Sequence, residues 1–357
     1  MEQIGLVGPP NSGKSSLFNA LTGGSVPVAA HPFTTTESSV GVAHVPDARL
    51  ARLAEMSKSQ KVVEASVEVV DIAGLVAGAE RGEGLGNRFL AGIREVDALC
   101  FVLRAFEDDS VLGDTDPVAA LETLELELVL ADLASVEAQL TRAKKASRTN
   151  AALAGTTEAM DKLQAVLSAG TPIYRSSLTA EERHALAPMF LLTNKPVFAV
   201  VNLGEDQIGD GALVQPVAAA LGDGSIVLGV CVQLEAETAR LEPGERAELL
   251  EGYGLGEGAL PRVARALFDA VGRWTFLTTG DKESRAWTFR AGAKAHECAG
   301  VIHSDLQRGF IRAEVIHWDE LLELGSWSAA RQAGKLRLEG KEYEVKDGDV
   351  LDIRFNV

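Results

Sequence analysis

An α/β domain with a mostly parallel sheet, interrupted by an α-helical insertion and followed by a small α+β domain, is the fold that three observations predict. Short apolar runs at Ile4 to Val7, Val67 to Val70, Ala98 to Leu103 and Val197 to Val201 are separated by helical or loop stretches, as strands of a parallel sheet are. Between the last two, from Pro117 onward, Leu121, Leu124, Leu128 and Ala131, then Leu133, Val136 and Leu140, recur at spacings of three and four, which is the period of a long amphipathic helix. Toward the C-terminus the pattern changes to short strands with turn signals: Ala286 to Phe289, Ile311 to Val315, Lys335 to Leu338, Tyr343 to Val345 and Val350 to Phe355. EGK and DGD read as hairpin turns there, and Trp318 to Leu324 as a helix.

Composition bounds the answer. At 357 residues the chain is long enough for two or three domains, and 46% hydrophobic with 24% charged residues is the balance of a soluble globular protein. No run of about 18 apolar residues exists, so no membrane span is expected. The N-terminus enters a strand without a basic and an apolar leader, which predicts a cytoplasmic location. Cys100, Cys231 and Cys298 form no CxxC and read as buried free thiols. A net charge of -17 argues against a surface that binds nucleic acid throughout and leaves room only for a local basic patch.

The first apolar run leads into GPPNSGKSS, Gly8 to Ser16, which fits GxxxxGKS and runs on into the helical stretch Ser16 to Leu21. Main-chain N–H groups of Asn11, Ser12, Gly13, Lys14, Ser15 and Ser16 turn inward as a phosphate cradle, at a helix N-terminus whose partial charge is positive. Lys14 reaches the outer phosphates and the Ser15 hydroxyl takes Mg²⁺. The segment from Thr22 to Asp47 is rich in Gly, Pro, Ser and Thr, and Thr34, Thr35 and Thr36 compete to complete the metal shell. Val40 to Val45 reads as a strand and Asp47 to Met56 as a short helix. Val67 to Val70 ends in Asp71 of DIAG, a DxxG whose carboxylate holds a metal-bound water and whose Gly74 N–H touches the γ-phosphate. The glycines at 78, 82, 84 and 86 exclude a stable helix before Asn87.

GPPNSGKSS, HPFTTTE, DIAGLVAGAERGEGLGNRFL, VVNLGE and RLEGKEYEVKDGDVLDIRFNV together resemble the YchF family, or Obg-like ATPases, a branch of the translation-factor class of P-loop NTPases, over nearly the whole chain. The resemblance selects Thr35 as the switch threonine, two residues after the phenylalanine of PFxT. It implies an antiparallel helical arm inserted in the Obg-type G domain and a C-terminal TGS domain of β-grasp fold. Family members commonly carry a histidine in the loop before the arm; here that loop reads EDDSVLGDTDP, so no histidine role carries over. Leu75 follows DxxG where Ras-like enzymes place the glutamine that orients water, which predicts weak basal turnover, raised by a partner or by K⁺ near Asn11.

The expected division is therefore a G domain over 1–104 and 191–276, a helical arm over 105–190 and a TGS domain over 277–357. A second arm helix is expected at Thr156 to Leu167, a third behind the capping pattern at Thr179 to Glu182, and Leu260 to Phe276 is expected to be helical. Arg142, Lys144, Lys145 and Arg148 form a basic cluster at the arm tip, read either as a solvated helix end or as an rRNA contact. The strand at Val197 to Val201 ends in NLGE where GTPases have NKxD, so Leu203 and Glu205 replace the guanine-reading pair. Asn202 with main-chain groups at Leu203 and Val232, the latter beside a base-contacting loop at Gln233 to Ala239, is expected to receive the base, with ATP preferred to GTP. The function expected is a Mg²⁺-dependent ATPase acting as a ribosome-associated switch, with the large subunit as the expected partner; the alternatives are an Obg-type GTPase and a nucleotide-gated ribosome-binding module with negligible turnover.

Overall fold

The computed structural model describes residues 2–24, 38–72, 85–147, 154–239 and 241–356. Two compact units are present: one holds residues 1–42 and 68–267, the other 43–67 and 268–357.

The first unit is built on a sheet of order β2-β4-β1-β5-β6-β7. Its strands are β1 (Gln3–Val7), β2 (Ser39–Val45), β4 (Ala65–Asp71), β5 (Ala98–Arg104), β6 (Val197–Asn202) and β7 (Val227–Val230), with β3 (Lys61–Val63) belonging to the other sheet. The β1/β4, β1/β5, β5/β6 and β6/β7 pairings are all parallel. All seven residues of β5 are buried, as a strand covered on both faces requires. The strand order turns back at β1, which has β4 on one side and β5 on the other; the crevice outside the carboxyl ends at such a switch point is where open α/β sheets bind ligands.

Helix α1 (Lys14–Thr22) follows β1 and ends at Gly23, whose φ of 65° suits a residue without Cβ. Helix α2 (Ala48–Ser57), capped by Asp47, belongs to the second unit. Helix α3 (Leu85–Glu95) begins two residues before Asn87, with Gly86 inside its first turn. The long helix α4 (Pro117–Ser147) has 31 residues, a span of about 46 Å at 1.5 Å per residue. Its first half is not an arm: Leu121, Leu124 and Leu128 lie in one apolar cluster with Phe101, Leu103, Val217 and Leu221. Its second half packs Val129 and Val136 against Leu163 and Leu167 of α5 (Ala154–Ser168) and against Ile173, Leu186 and Leu191. At the junction the buried Asp132 carboxylate accepts Leu192 N–H (2.8 Å), Thr193 N–H (2.8 Å) and the Thr193 hydroxyl (2.7 Å), tying α4 to the chain that returns to β6. The expected capping box at Thr179 and Glu182 opens α6 (Ala180–Ala185). Helices α7 (Gly211–Leu221), α8 (Val232–Thr238), α9 (Pro243–Gly252) and α10 (Leu260–Ala270) follow. Gln233 to Ala239 is thus mostly helix, where a base-contacting loop was expected.

The second unit has the sheet β11-β10-β12-β8-β9-β3. Strands β8 (Arg273–Thr279) and β9 (Glu283–Arg290) form an antiparallel pair. Helices α11 (Ala295–Ile302) and α12 (Ser304–Arg308) lead to β10 (Phe310–His317), and α13 (Trp318–Leu324) and α14 (Trp327–Gln332) to β11 (Arg337–Glu339) and β12 (Asp349–Phe355). β12 lies between β10, antiparallel, and β8, parallel, so the first and last strands of the C-terminal part are central neighbours, as in a β-grasp fold. Ala295, Cys298 and Ala299 of α11 pack onto Phe276, Phe289, Val315 and Leu351.

Three expectations are corrected here. The helix from Leu260 stops at Ala270, because Gly272 (φ 63°) turns the chain and Trp274 and Phe276 enter β8. EGK and DGD are not hairpin turns: β11 and β12 both pair with β10 rather than with each other, and Tyr343 to Val345 contributes only a single bridge, Lys294 with Glu344. Residues 43–67, expected within the G domain, are built into the second unit instead. β3 pairs in parallel with β9, Gln60 N–H donates to the Asp281 carbonyl (3.0 Å), the Ser59 hydroxyl donates to the Gly280 carbonyl (2.7 Å), and the Arg49 guanidinium pairs with Asp347 at 2.6 Å.

Candidate nucleotide-binding site

The turn between β1 and α1 has the backbone that its glycines require. Gly13 has φ 94°, and a Cβ there would lie 2.2 Å from the Asn202 amide nitrogen; one on Gly8 would lie 2.2 Å from the Val102 carbonyl oxygen. No side chain fits at either place. Asn11 also sits at positive φ (61°), a conformation that asparagine tolerates better than most residues. The buried Lys14 ammonium donates to the carbonyls of Gly8 (2.9 Å) and Pro9 (3.0 Å). Burial pulls its pKa down to about 8, against the nearby Asp71 carboxylate, which raises it. The Ser12 hydroxyl is buried and has no hydrogen-bond partner. A buried orphan in a glycine cradle, beside an ammonium whose partners among the described residues are carbonyls of its own loop, fits a site shaped for an anion.

The two side chains expected at the metal, Ser15 and Asp71, lie together. The Ser15 hydroxyl donates to Asp71 at 2.6 Å, and Asp71 is only 1% exposed at the carboxyl end of β4. Desolvation raises the Asp71 pKa, while the Ser15 hydrogen bond and Lys14 oppose the rise. A hydroxyl and a carboxylate that meet this closely suit a hard cation taken by one directly and by the other through water. Thr35 and Gly74 lie outside the described residues.

Asn202 differs from expectation. Its amide N–H donates to the Ser12 carbonyl (3.0 Å) and its amide oxygen accepts Val232 N–H (3.1 Å), while its main-chain carbonyl accepts the N–H groups of Ala105 (2.9 Å) and Phe106 (3.1 Å). One buried residue thus fastens the phosphate loop, the segment after β5 and the start of α8 to each other. The Val232 N–H expected at the base is committed to Asn202, and Leu203 N–H is committed to the Val230 carbonyl (2.9 Å). The Leu203 side chain, 4% exposed, belongs to the apolar cluster under α7, so it does not lie along a base. Leu203→Lys would place an ammonium in that core and is not a usable probe of base preference.

Glu205 is exposed and accepts the Tyr253 hydroxyl at 2.9 Å, a hydrogen bond that raises the tyrosine pKa. Tyr253, Gln207 and Arg104 were missed by sequence reasoning. Gln207 joins Gly204 N–H (2.8 Å) to the Ala105 carbonyl (3.2 Å). Only Arg104 carried a signal, an arginine closing an otherwise apolar strand, ALCFVLR. At the arm, Lys144 pairs with Asp161 at 2.7 Å, and the side chains of Arg142 and Lys145 and all of Arg148 lie outside the description. Among the described residues no helix is long and apolar enough to cross a membrane.

Comparison with known proteins agrees with this architecture. The family profile MMR_HSR1, described as a 50S ribosome-binding GTPase, matches residues 3–131, and YchF-GTPase_C, described as a protein of unknown function, matches residues 274–356. The protein named ribosome-binding ATPase YchF from Bacillus subtilis is 44% identical over 99% of both chains. Its Escherichia coli O157:H7 counterpart is 41% identical, again over 99% of both. The solved structure of the Schizosaccharomyces pombe YchF GTPase superposes with a TM-score of 0.86 at 31% identity, over 99% of this chain and 97% of that one. With full-length relatives at this identity and both ends of the chain matched, this protein belongs to the YchF family.

Proposed function

We propose that this chain is a Mg²⁺-dependent ATPase whose nucleotide state controls its association with the ribosome in the cytoplasm. The observation that carries the reading is the Lys14, Ser12, Ser15 and Asp71 arrangement, in a full-length relative of proteins named ribosome-binding ATPases. When the nucleotide binds, Lys14 leaves the Gly8 and Pro9 carbonyls and its charge balances the outer phosphates. The Ser15 and Thr35 hydroxyls and the Asp71 carboxylate would hold the cation, and the Gly74 N–H would face the terminal phosphate. When bound, Mg²⁺ would supply charge neutralisation for the phosphates. Asn202 keeps the phosphate cradle and α8 in register throughout.

ATP is preferred to GTP because the aspartate that accepts both guanine donors is absent and Glu205 is held by Tyr253. The large ribosomal subunit is the partner, with rRNA contact at the basic arm tip, and K⁺ near Asn11 raises turnover. A second reading, a nucleotide-gated binding module with negligible turnover, is favoured by Leu75, which can neither donate to nor accept from an attacking water. ATP turnover with and without ribosomes, in potassium and in sodium buffer, separates the two. Turnover that rises with ribosomes supports the switch; ribosome binding without any stimulated turnover supports the module.

A further inference from the structure

Arg104 is 3% exposed, at the carboxyl end of β5, and no carboxylate among the described residues forms an ion pair with it. Its guanidinium is satisfied by the loop that follows. Nε donates to the Phe106 carbonyl (3.0 Å), one terminal nitrogen donates to the Val111 carbonyl (3.0 Å), and the other makes a longer contact with the Asp108 carbonyl (3.4 Å). The guanidinium also lies over the Phe106 ring, 4.5 Å from its centroid. A desolvated cation needs acceptors on several sides, and a planar fork needs them at fixed angles. Residues 106–111 meet both demands by wrapping around it.

Both ends of this loop are tied to segments of the nucleotide site. At its start, Ala105 and Phe106 donate to the Asn202 carbonyl and Ala105 accepts Gln207. At its far end, the side chain of Asn11 in the phosphate loop donates to the Leu112 carbonyl at 3.0 Å. Gly113, at φ 129°, has a Cβ position 3.7 Å from the Arg104 guanidinium and 4.0 Å from the Pro10 carbonyl, so this backbone lies close between the two. The loop therefore runs from the end of β5, where it is held by Asn202 at the end of β6, to the phosphate loop.

We infer that Arg104 is a positioning residue for the nucleotide: it sets the loop 105–113 as a wall along the binding cleft and acts through that wall on retention of ATP and ADP. This rests on the nucleotide-binding reading above. The wall touches no bond that changes in hydrolysis, so its loss weakens the binding of substrate and product alike while saturated turnover stays near its original value.

The test uses the full-length chain and fluorescent ATP and ADP analogues. Arg104→Lys keeps the charge but not the fork, and Gly113→Ala strains the far end of the loop at an exposed position that spares the core. The expected result is a rise of about tenfold in Kd for both nucleotides in each variant, with KM rising in step and kcat changing less than about twofold. Combining the two substitutions should add little, because both release one wall. Unchanged Kd in folded Gly113→Ala, full additivity in the double variant, or a loss confined to kcat overturns the inference. Failure of the unmodified chain to bind ATP overturns the functional reading itself.

Discussion

Replacing Asn202 tests how the site is held together. The residue is 5% exposed, and Asn202→Ala leaves two buried main-chain groups without partners, the Ser12 carbonyl and the Val232 N–H. Each such group costs about 1–3 kcal/mol, so the two together should cost the protein roughly 2–6 kcal/mol. If about 2 kcal/mol of this falls on the phosphate loop, ATP affinity drops on the order of 30-fold. Asn202→Asp separates the two bonds. A carboxylate still accepts Val232 N–H but faces the Ser12 carbonyl, now 3.0 Å from the amide nitrogen, with a lone pair instead of a proton. It should therefore bind ATP more weakly than Asn202→Ala does, although it is the stronger acceptor. Urea unfolding and titration with a fluorescent ATP analogue read the two effects separately. ATP binding by Asn202→Asp at the unmodified affinity would show that the bond to Ser12 does not organise the site.

Three further outcomes are expected. Lys14 has a pKa near 8 in the free protein, and bound phosphate favours its charged form. Binding therefore takes up a proton above that pH: ATP affinity is full below about pH 8 and falls by up to about tenfold per pH unit above it, whereas Lys14→Ala shows no such fall; calorimetry across pH checks this. Asp132→Ala exposes no site residue but strands the Leu192 and Thr193 N–H groups; a loss of about 3 kcal/mol in chemical unfolding with ATP binding intact is expected, and weakened ATP binding would contradict it. Replacing Arg142, Lys144, Lys145 and Arg148 with Ala should weaken cosedimentation with ribosomes and flatten its salt dependence; cosedimentation that survives intact would make the basic tip a solvated helix end.

The parallel sheet was legible because each of its strands is a local signal: β1, β4, β5 and β6 are apolar runs at predictable places before loops with chemistry in them. The turn between β1 and α1 was legible for the same reason, since Gly8, Gly13, Lys14 and Ser15 fall within one short segment whose shape is set by main-chain geometry. What the sequence could not disclose depends on contacts far apart in the chain. Leu203 and Asn202 are neighbours at a strand end, yet one faces the core under α7 and the other spans 190 residues to Ser12. Tyr253 reaches Glu205 across 48 residues, with no periodicity to announce it. The long α4 carried a continuous helical pattern, and that pattern does not say whether its apolar face meets the sheet, as at Leu121, or the arm, as at Val136. The placement of α2 and β3 with the C-terminal sheet was hidden because a three-residue strand, KVV, has too little length to show which sheet it joins.

Calorimetric titration of the full-length protein with ATP and with GTP, each with Mg²⁺, tests the central claim most directly. The account predicts that both bind through the same phosphate cradle and that ATP binds tighter by about tenfold, because a charged partner worth on the order of 1.5 kcal/mol is missing for guanine. GTP binding tighter than ATP, or no binding of either by the folded protein, would contradict it.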